Sequence, residues 1–463
     1  MKGPREPSDT IFALASGRGT AGIAVFRVSG PAARDTLESL GVTTLRPRLA
    51  TRARLLASGT GSGVRPVLDD ALVLWFPAPK SFTGEDVAEL HVHGGRAVID
   101  AVARALGAIP GLRPAEPGEF TRRAFEHGKL DLAQAEGLAD LVAAETEAQR
   151  VQALEQFDGA LSRRLEAWRA ALIAILAQVE AALDFSDEDV PPDIVRDQLP
   201  DLVRIFENIS QHLESAPIGE KVRDGFHVAI LGAPNVGKSS LLNVLARRDV
   251  AIVSETKGTT RDIIEVHMNL KGIPVILADT AGLRDAAEAI EAEGVRRAEG
   301  RAAQADLRLT VFDARDWPER DAATERFGGE GSIAVLNKID LLDHEKRNKV
   351  DVVLQSQKTT RYCGISALTG EGLDRLLAVI HDSLRQHLDT LGPAPLTRER
   401  HRRALSDAVE ALRRAIESPD PVAALELLAE DLRLAARALG RVAGHVDVED
   451  VLDRIFSQFC IGK

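Results

Sequence analysis

The stretch Gly232-Ala233-Pro234-Asn235-Val236-Gly237-Lys238-Ser239-Ser240 decides how the middle of this chain folds. An apolar run, Val228-Ala229-Ile230-Leu231, precedes it, and a helical pattern with Leu241, Leu242 and Leu245 follows. Strand, glycine-rich loop and helix in that order are the setting a P-loop requires. The glycines let successive backbone N–H groups point at phosphate oxygens, and the helix N-terminus adds partial positive charge. In this reading Asn235, Val236, Gly237 and Ser240 line the phosphates. Lys238 reaches the β- and γ-phosphates, and the Ser239 hydroxyl is a Mg²⁺ ligand. The competing reading of this stretch alone is a glycine-rich turn that merely opens a helix.

Four later segments narrow the choice. Gly258-Thr259-Thr260-Arg261-Asp262 can supply Thr260 as a second Mg²⁺ ligand. Asp279-Thr280-Ala281-Gly282 follows the strand-like Val275-Ile276-Leu277 and reads as the segment that senses Mg²⁺ and the γ-phosphate. Asn337-Lys338-Ile339-Asp340 follows Ile333-Ala334-Val335-Leu336. The Asp340 carboxylate can accept two hydrogen bonds from guanine, from N1–H and the 2-amino group, which adenine cannot donate. Ser366-Ala367 can place a backbone N–H on guanine O6. Their order and strand-end placement fit a doubly wound sheet that binds its ligand beyond the strand C-termini. The implied ligand is a guanine nucleotide and the implied substrate is GTP. Ras-like enzymes orient the attacking water with a glutamine just after the Asp-x-x-Gly segment. Here that position is Leu283, which cannot do so. Asp285, Glu288, Glu291 and Glu293 are alternatives, and a solvated acidic loop is the bland reading of all four.

The 463 residues leave room for about two to four domains. A charged fraction of 28% and a hydrophobic fraction of 44% are those of an ordinary soluble protein. The net charge of −12 argues against a chain coated for nucleic acid, so RNA contact requires a local basic patch. Arg46, Arg48, Arg52 and Arg54 form one such cluster, and Arg398, Arg400, Arg402 and Arg403 another. Each alone reads as a solvated face, and the second is also a candidate phosphate contact. Two cysteines, Cys363 and Cys460, make no disulfide framework. Met1 to Thr10 has no apolar core of a signal peptide, and no apolar run is long enough for a bilayer. A reducing, cytoplasmic setting without membrane contact is expected.

Residues 8 to about 128 read as a mixed α/β unit with strands at Ile23–Val28, Ala71–Phe76 and Val87–His93. A helix is expected from Gly95 through Leu106. His91 and His93 share a strand face, but two histidines without a third ligand read as structural before they read as metal ligands. From Leu130 the pattern turns helical. Leu154, Phe157, Leu161, Leu165, Trp168, Leu172, Ile175, Val179 and Leu183 predict one long amphipathic helix. Asp184 to Pro192 breaks it, and a further helix runs to about Glu214. After the nucleotide-binding region, helices are expected at about 397–416, 421–439 and 448–459, the last behind an N-cap at Asp447. Helices on both sides imply that the P-loop domain is inserted into a helical bundle. The expected domains are 1–128, 129–220, 221–380 and 381–463, the second and last being halves of one helical domain.

The chain resembles the MnmE/TrmE family of tRNA uridine-modifying GTPases over essentially its whole length. The resemblance rests on Asp9-Thr10-Ile11, Arg27-Val28-Ser29-Gly30 and Ser81-Phe82-Thr83-Gly84-Glu85-Asp86 with His93-Gly94-Gly95. It continues through Pro117 to Phe125, Lys129 to Glu136, the segments quoted above and Phe459-Cys460-Ile461-Gly462-Lys463 at the C-terminal end. It implies an N-terminal α/β folate-binding-like domain that also forms a homodimer, a discontinuous helical bundle and an inserted Ras-like GTPase domain. Arg27, Glu89, Lys129 and Lys463 would line a pocket for methylene- or formyl-tetrahydrofolate. An FAD-dependent partner enzyme, joined in a heterotetramer, would share the modification of C5 of the wobble uridine in tRNA. Asn235, with Ser254, Thr256 and Thr259, would hold K⁺ beside the phosphates, and Glu255, Lys257 and Gly258 would belong to the same nucleotide loop. Glu291 matches the residue that orients the attacking water. Cys460 is either a nucleophile toward the uridine ring or a packed thiol. The main rival is a ribosome-assembly GTPase, which would carry an RNA-binding appendage such as a KH module. A nucleotide-gated scaffold for the flavoprotein is the third reading.

Overall fold

The computed structural model describes residues 9–17, 19–57, 65–184, 196–248, 250–251, 265–279, 299–356, 361–418, 424–446, 449–457 and 459–462. They fall into two compact units. One comprises residues 1–139, 156–169 and 437–463, and the other residues 140–155 and 170–436.

The first unit is built on a six-stranded sheet of β1 (Thr10–Leu14), β2 (Ala21–Ser29), β3 (Thr51–Leu56), β4 (Val67–Phe76), β5 (Val87–Gly94) and β6 (Leu112–Pro114). The spatial order is β3-β4-β5-β2-β1-β6, antiparallel throughout except for β1 with β6. Period-two alternation sets its two faces. Ala24, Phe26 and Val28 of β2 and Ala88, Leu90 and Val92 of β5 are buried in one core with Leu37, Val102 and Leu106. Those last three come from the helices Ala33–Ser39 and Arg96–Gly107, whose apolar residues recur at helical spacing. Each of the largest buried side chains, Phe26 among them, stabilises the core by about 1.5–3 kcal/mol. The intervening residues Arg27, Glu89 and His91 face the other way. All three expected strands of this region are present, and each extends past at least one predicted end.

The single long helix expected across Leu154 to Leu183 is two helices, Glu147–Phe157 and Ala160–Asp184. Gly159, at φ 80°, returns its N–H to the Gln156 carbonyl and ends the first. The apolar spacing continues on both sides of this stop, so periodicity alone could not reveal it.

The second unit holds a sheet of β7 (Phe226–Gly232), β8 (Glu265–Leu270), β9 (Ile273–Asp279), β10 (Leu307–Asp313), β11 (Ser332–Asn337) and β12 (Arg361–Gly364), in the order β12-β11-β10-β7-β9-β8. Every pairing is parallel except β8 with β9. One face packs on Leu241, Leu242 and Leu245 and on Leu373, Leu376 and Ile380 from the helices Lys238–Ala246 and Leu373–Leu388. The other is covered by residues that include Ala302, Phe327 and Val350. Burial on both faces explains why β7 and β11 read as unbroken apolar runs. This is the doubly wound arrangement read from the sequence.

In the same unit the helix Leu199–Glu214 packs along Glu399–Glu417, and Ala216–Asp224 leads into β7. The helices expected late in the chain are Glu399–Glu417, Leu425–Ala443 and Glu449–Phe456, and Asp447 lies outside the described residues. The second arginine cluster serves the fold here. Arg398 pairs with Asp140 at 2.7 Å, Arg402 with Glu220 at 3.1 Å and Arg403 with Glu399 at 2.5 Å. Arg398, Arg402 and Arg403 thus have carboxylate partners, while the side chains of Arg402 and Arg403 stay partly open to solvent. Among the described residues no helix is long and apolar enough to cross a membrane.

Candidate functional site

The P-loop connects the C-terminal end of β7 to the helix Lys238–Ala246. Two of its residues have left-handed backbones, Asn235 at φ 63° and Gly237 at φ 99°. Gly237 has to be glycine. A Cβ there would stand 2.2 Å from Asn337 Nδ2, and its φ disfavours any side chain. The buried Lys238 folds back over the loop and donates from Nζ to the carbonyls of Gly232 (2.9 Å) and Ala233 (2.8 Å). Val236 is buried beneath the loop, and Ser239 and Ser240 are exposed at the helix start. Asp279 is the last residue of β9.

The segment expected to read the base begins where β11 ends. Asn337 is 2% exposed, and its amide bridges two loops. Nδ2 donates to the Val236 carbonyl at 2.8 Å, and Oδ1 accepts from the Ala367 N–H at 3.0 Å. Lys338 makes a second bridge, donating from Nζ to the Asn235 carbonyl (2.7 Å) and to Asp313 Oδ2 (2.8 Å). Asp340 follows, half-buried, in the short 3₁₀ turn Ile339–Leu341. The backbone N–H of Ser366 donates to the Glu371 carbonyl at 2.9 Å. Both N–H groups that the sequence offers to guanine O6 are thus engaged with protein acceptors, and Leu368, 86% exposed, is the next along the loop. The sequence reading passed over Asp313. It ends β10 as Asn337 ends β11, and that strand-end position was its signal.

In the first unit, Arg27 and Glu89 are direct cross-strand neighbours on β2 and β5. Arg27 donates to Glu89 Oε1 from Nε (3.1 Å) and Nη2 (2.9 Å). Its guanidinium lies 5.3 Å from the ring centre of Phe82 and 5.8 Å from that of Phe120, two contacts the sequence did not announce. Phe82 belongs to the loop that also carries Gly84. A Cβ on Gly84 would lie 3.4 Å from Lys129 Cε, so this loop touches both Arg27 and the exposed Lys129. His91 and His93 face carboxylates, Glu89 at 3.3 Å and Asp69 at 2.8 Å. Among the described residues no group of three His, Cys, Asp or Glu could hold a metal.

A charged network braces the same loop. Arg123, 8% exposed, donates to Glu85, to Asp9 and to Glu119. Arg113 binds Asp9 and Glu119, and Ser29 binds Thr83 and Glu85 at 2.7 Å each. Burial opposes ionisation of Glu119, but hydrogen bonds and charge from Arg113 and Arg123 outweigh it and hold the carboxyl below its usual range.

Cys460 is exposed, and its carbonyl accepts from the Gly118 N–H at 3.5 Å. It borders a cavity of about 790 Å³ whose apolar lining includes Phe12, Leu14, Phe26 and Ile99. Phe12, Leu14 and Phe26 point to the sheet face opposite Arg27, as strand alternation requires. Gly462, at φ 99°, lies so close to β1 that a Cβ would stand 2.3 Å from the Leu14 carbonyl oxygen. Cys363 is fully buried, and burial raises its thiol pKa. Ser254, Glu255, Thr256, Lys257, Gly258, Thr259, Thr260, Thr280, Ala281, Gly282, Glu291 and Lys463 lie outside the described residues.

Similarity to known proteins completes this picture. The signature of the GTP-binding protein TrmE N-terminus matches residues 10–129, and that of the MnmE helical domain matches residues 132–460. The chain is 54% identical to the tRNA modification GTPase MnmE of Paramagnetospirillum magneticum, over 98% of this chain and 100% of the relative. It is 53% identical to that of Rhodospirillum rubrum (98% and 99%) and 52% identical to that of Parvibaculum lavamentivorans (98% and 100%). A helical-domain signature spanning most of the sequence, and identity above one half along nearly all of it, show that this chain belongs to the MnmE/TrmE family of tRNA modification GTPases.

Proposed function

We infer that the chain is a K⁺-dependent GTPase that acts in modification of the tRNA wobble uridine. The observation that carries the nucleotide half is the double bridge from the base-reading segment to the P-loop. Asn337 holds the Val236 carbonyl and Lys338 that of Asn235. A glycine-rich turn without a ligand has no use for such bridges, whereas a site that must grip base and phosphates together does. The helix N-terminus at Lys238 and the adjacent Ser239 hydroxyl suit phosphate and Mg²⁺. Thr260 would complete the Mg²⁺ ligands. Asn235, Ser254, Thr256 and Thr259 would hold K⁺, and Glu291 would orient the attacking water. Asp340 would read the guanine edge.

Folate is the second ligand of this reading, bound by Arg27, Glu89, Lys129 and Lys463. The Arg27–Glu89 pair, with Phe82 and Phe120 beside Arg27, suits a planar heteroaromatic ring with polar edges. Bound folate would supply the one-carbon unit for C5. A homodimer through residues 1–128, an FAD-dependent partner in a heterotetramer, tRNA as shared substrate and a cytoplasmic location belong to the same proposal. So do a helical domain of residues 129–220 and 381–463 and an inserted GTPase domain of residues 221–380.

The experiment is GTP hydrolysis in KCl against NaCl at equal ionic strength, with Glu291→Ala in parallel. Strong activation by K⁺ that is lost in the variant is the expected result. Equal rates in both salts would remove Asn235 from its cation role and leave the GTPase reading intact.

A further inference from the structure

Asp313 closes β10 beside the P-loop and is 8% exposed. Its carboxylate accepts four hydrogen bonds. Arg315 supplies three, from its backbone N–H (3.1 Å) and Nε (3.0 Å) to Oδ1 and from Nη2 (2.7 Å) to Oδ2. Lys338 supplies the fourth, at 2.8 Å to Oδ2. The same ammonium reaches the Asn235 carbonyl at 2.7 Å. The two residues joined by that last bond both have left-handed backbones, Lys338 at φ 68° and Asn235 at φ 63°. Non-glycine residues rarely hold this conformation without support from their surroundings.

A lysine side chain has four rotatable bonds and loses considerable freedom when fixed. A single carbonyl acceptor on a loop is a weak anchor for it. A buried carboxylate is a strong one, because the bond is charge-assisted and little water competes. Burial works against the charge on Asp313, but the hydrogen bonds from Arg315 and Lys338 prevail and keep it ionised well below the usual carboxylate range.

We propose that Asp313 is a positioning residue for the nucleotide site, anchoring Lys338 so that it clamps the P-loop at Asn235. This rests on the guanine-nucleotide reading of the site. Asp313 itself need not touch the nucleotide. It sets the place of a side chain that joins the base-reading segment to the phosphate loop, in parallel with the Asn337 bridge. Losing the anchor loosens the join, so bound nucleotide escapes faster while the order of preference among bases stays with Asp340.

The test is a double-mutant cycle on the full-length chain with Asp313→Asn and Lys338→Met, read as the dissociation rate of N-methylanthraniloyl-GDP. That rate is measured on whichever molecules have bound, so partial unfolding does not imitate the effect. Asp313→Asn is expected to speed dissociation about tenfold in the wild-type background and less than twofold in the Lys338→Met background. Equal acceleration in both backgrounds would overturn the proposal, since Asp313 would then act independently of Lys338. No acceleration in either would overturn it as well. Should Asp313→Asn yield no binding-competent protein, Asp313→Glu keeps the charge but displaces it, and the same cycle and criteria apply. Failure of the unmodified protein to bind the probe would instead refute the guanine-nucleotide reading, as would unchanged preference for guanine over xanthine nucleotide in Asp340→Asn.

Discussion

The nucleotide site and the Arg27 site are assembled in opposite ways. In the second unit the functional groups sit on loops that leave the C-terminal ends of parallel strands, and each contributing segment is short and contiguous. Gly232 to Ser240, Asn337 to Asp340 and Ser366-Ala367 are complete pieces of equipment before they meet. In the first unit the groups are single residues from separate segments. Arg27 meets Glu89 because β2 and β5 pair in one register, and a slip of one residue would turn both to the other face. Backbone carbonyls and N–H groups dominate the first kind of site, and side chains the second. A backbone-built site should be most sensitive to conformation, and a side-chain-built site to charge and register.

The largest effect is expected where buried charge braces the first unit. Arg123→Met takes the cationic partner from Glu85 and leaves Asp9 and Glu119 to Arg113 alone. It should cost about 3–5 kcal/mol of stability. Chemical denaturation followed by far-UV circular dichroism reads this, and a loss under about 1 kcal/mol would mean that Arg113 alone carries the network.

Next comes Arg27→Ala. The Arg27–Glu89 pair is partly exposed, so the fold should survive. If the proposed folate site holds, tetrahydrofolate affinity should fall about ten- to a hundredfold, the worth of one charge-assisted bond. Titration calorimetry with 5-formyl-tetrahydrofolate measures it, and unchanged affinity would remove Arg27 from the pocket.

Gly237→Ala probes the other side of the comparison. A methyl at φ 99° beside Asn337 should cost about 1–3 kcal/mol, felt as weaker GDP binding with little change in melting temperature. An equal loss in both quantities would show that the loop conformation is part of the global fold and not a local feature of the site.

The smallest effect is one of pH. The carboxyl of Glu119 is held below its usual range in the folded chain, so the unfolded chain binds its proton first as pH falls. Its contribution is complete above about pH 4.5 and declines as the pH drops through the lowered value. Glu119→Gln should flatten the acid limb of the melting-temperature profile below that point. A profile of unchanged slope would assign acid sensitivity to other carboxylates.

The amino-acid sequence by itself determined the doubly wound nucleotide-binding architecture, the existence of strands around Ile23–Val28, Ala71–Phe76 and Val87–His93, and the helices that precede and follow the nucleotide-binding region. It could do so because apolar periodicity and contiguous loop motifs are local properties of the chain. Only the tertiary structure decided what depends on residues distant in sequence. It placed Phe82 and Phe120 beside Arg27 and gave Lys338 its anchor in Asp313. It turned Arg398 and Arg402 from a basic patch into ion pairs with Asp140 and Glu220. It also cut one predicted helix in two at Gly159, where the same apolar spacing runs on past a left-handed residue. A pattern records which face a residue takes, but a partner is settled by strand register and packing, and these exist only once the chain has folded.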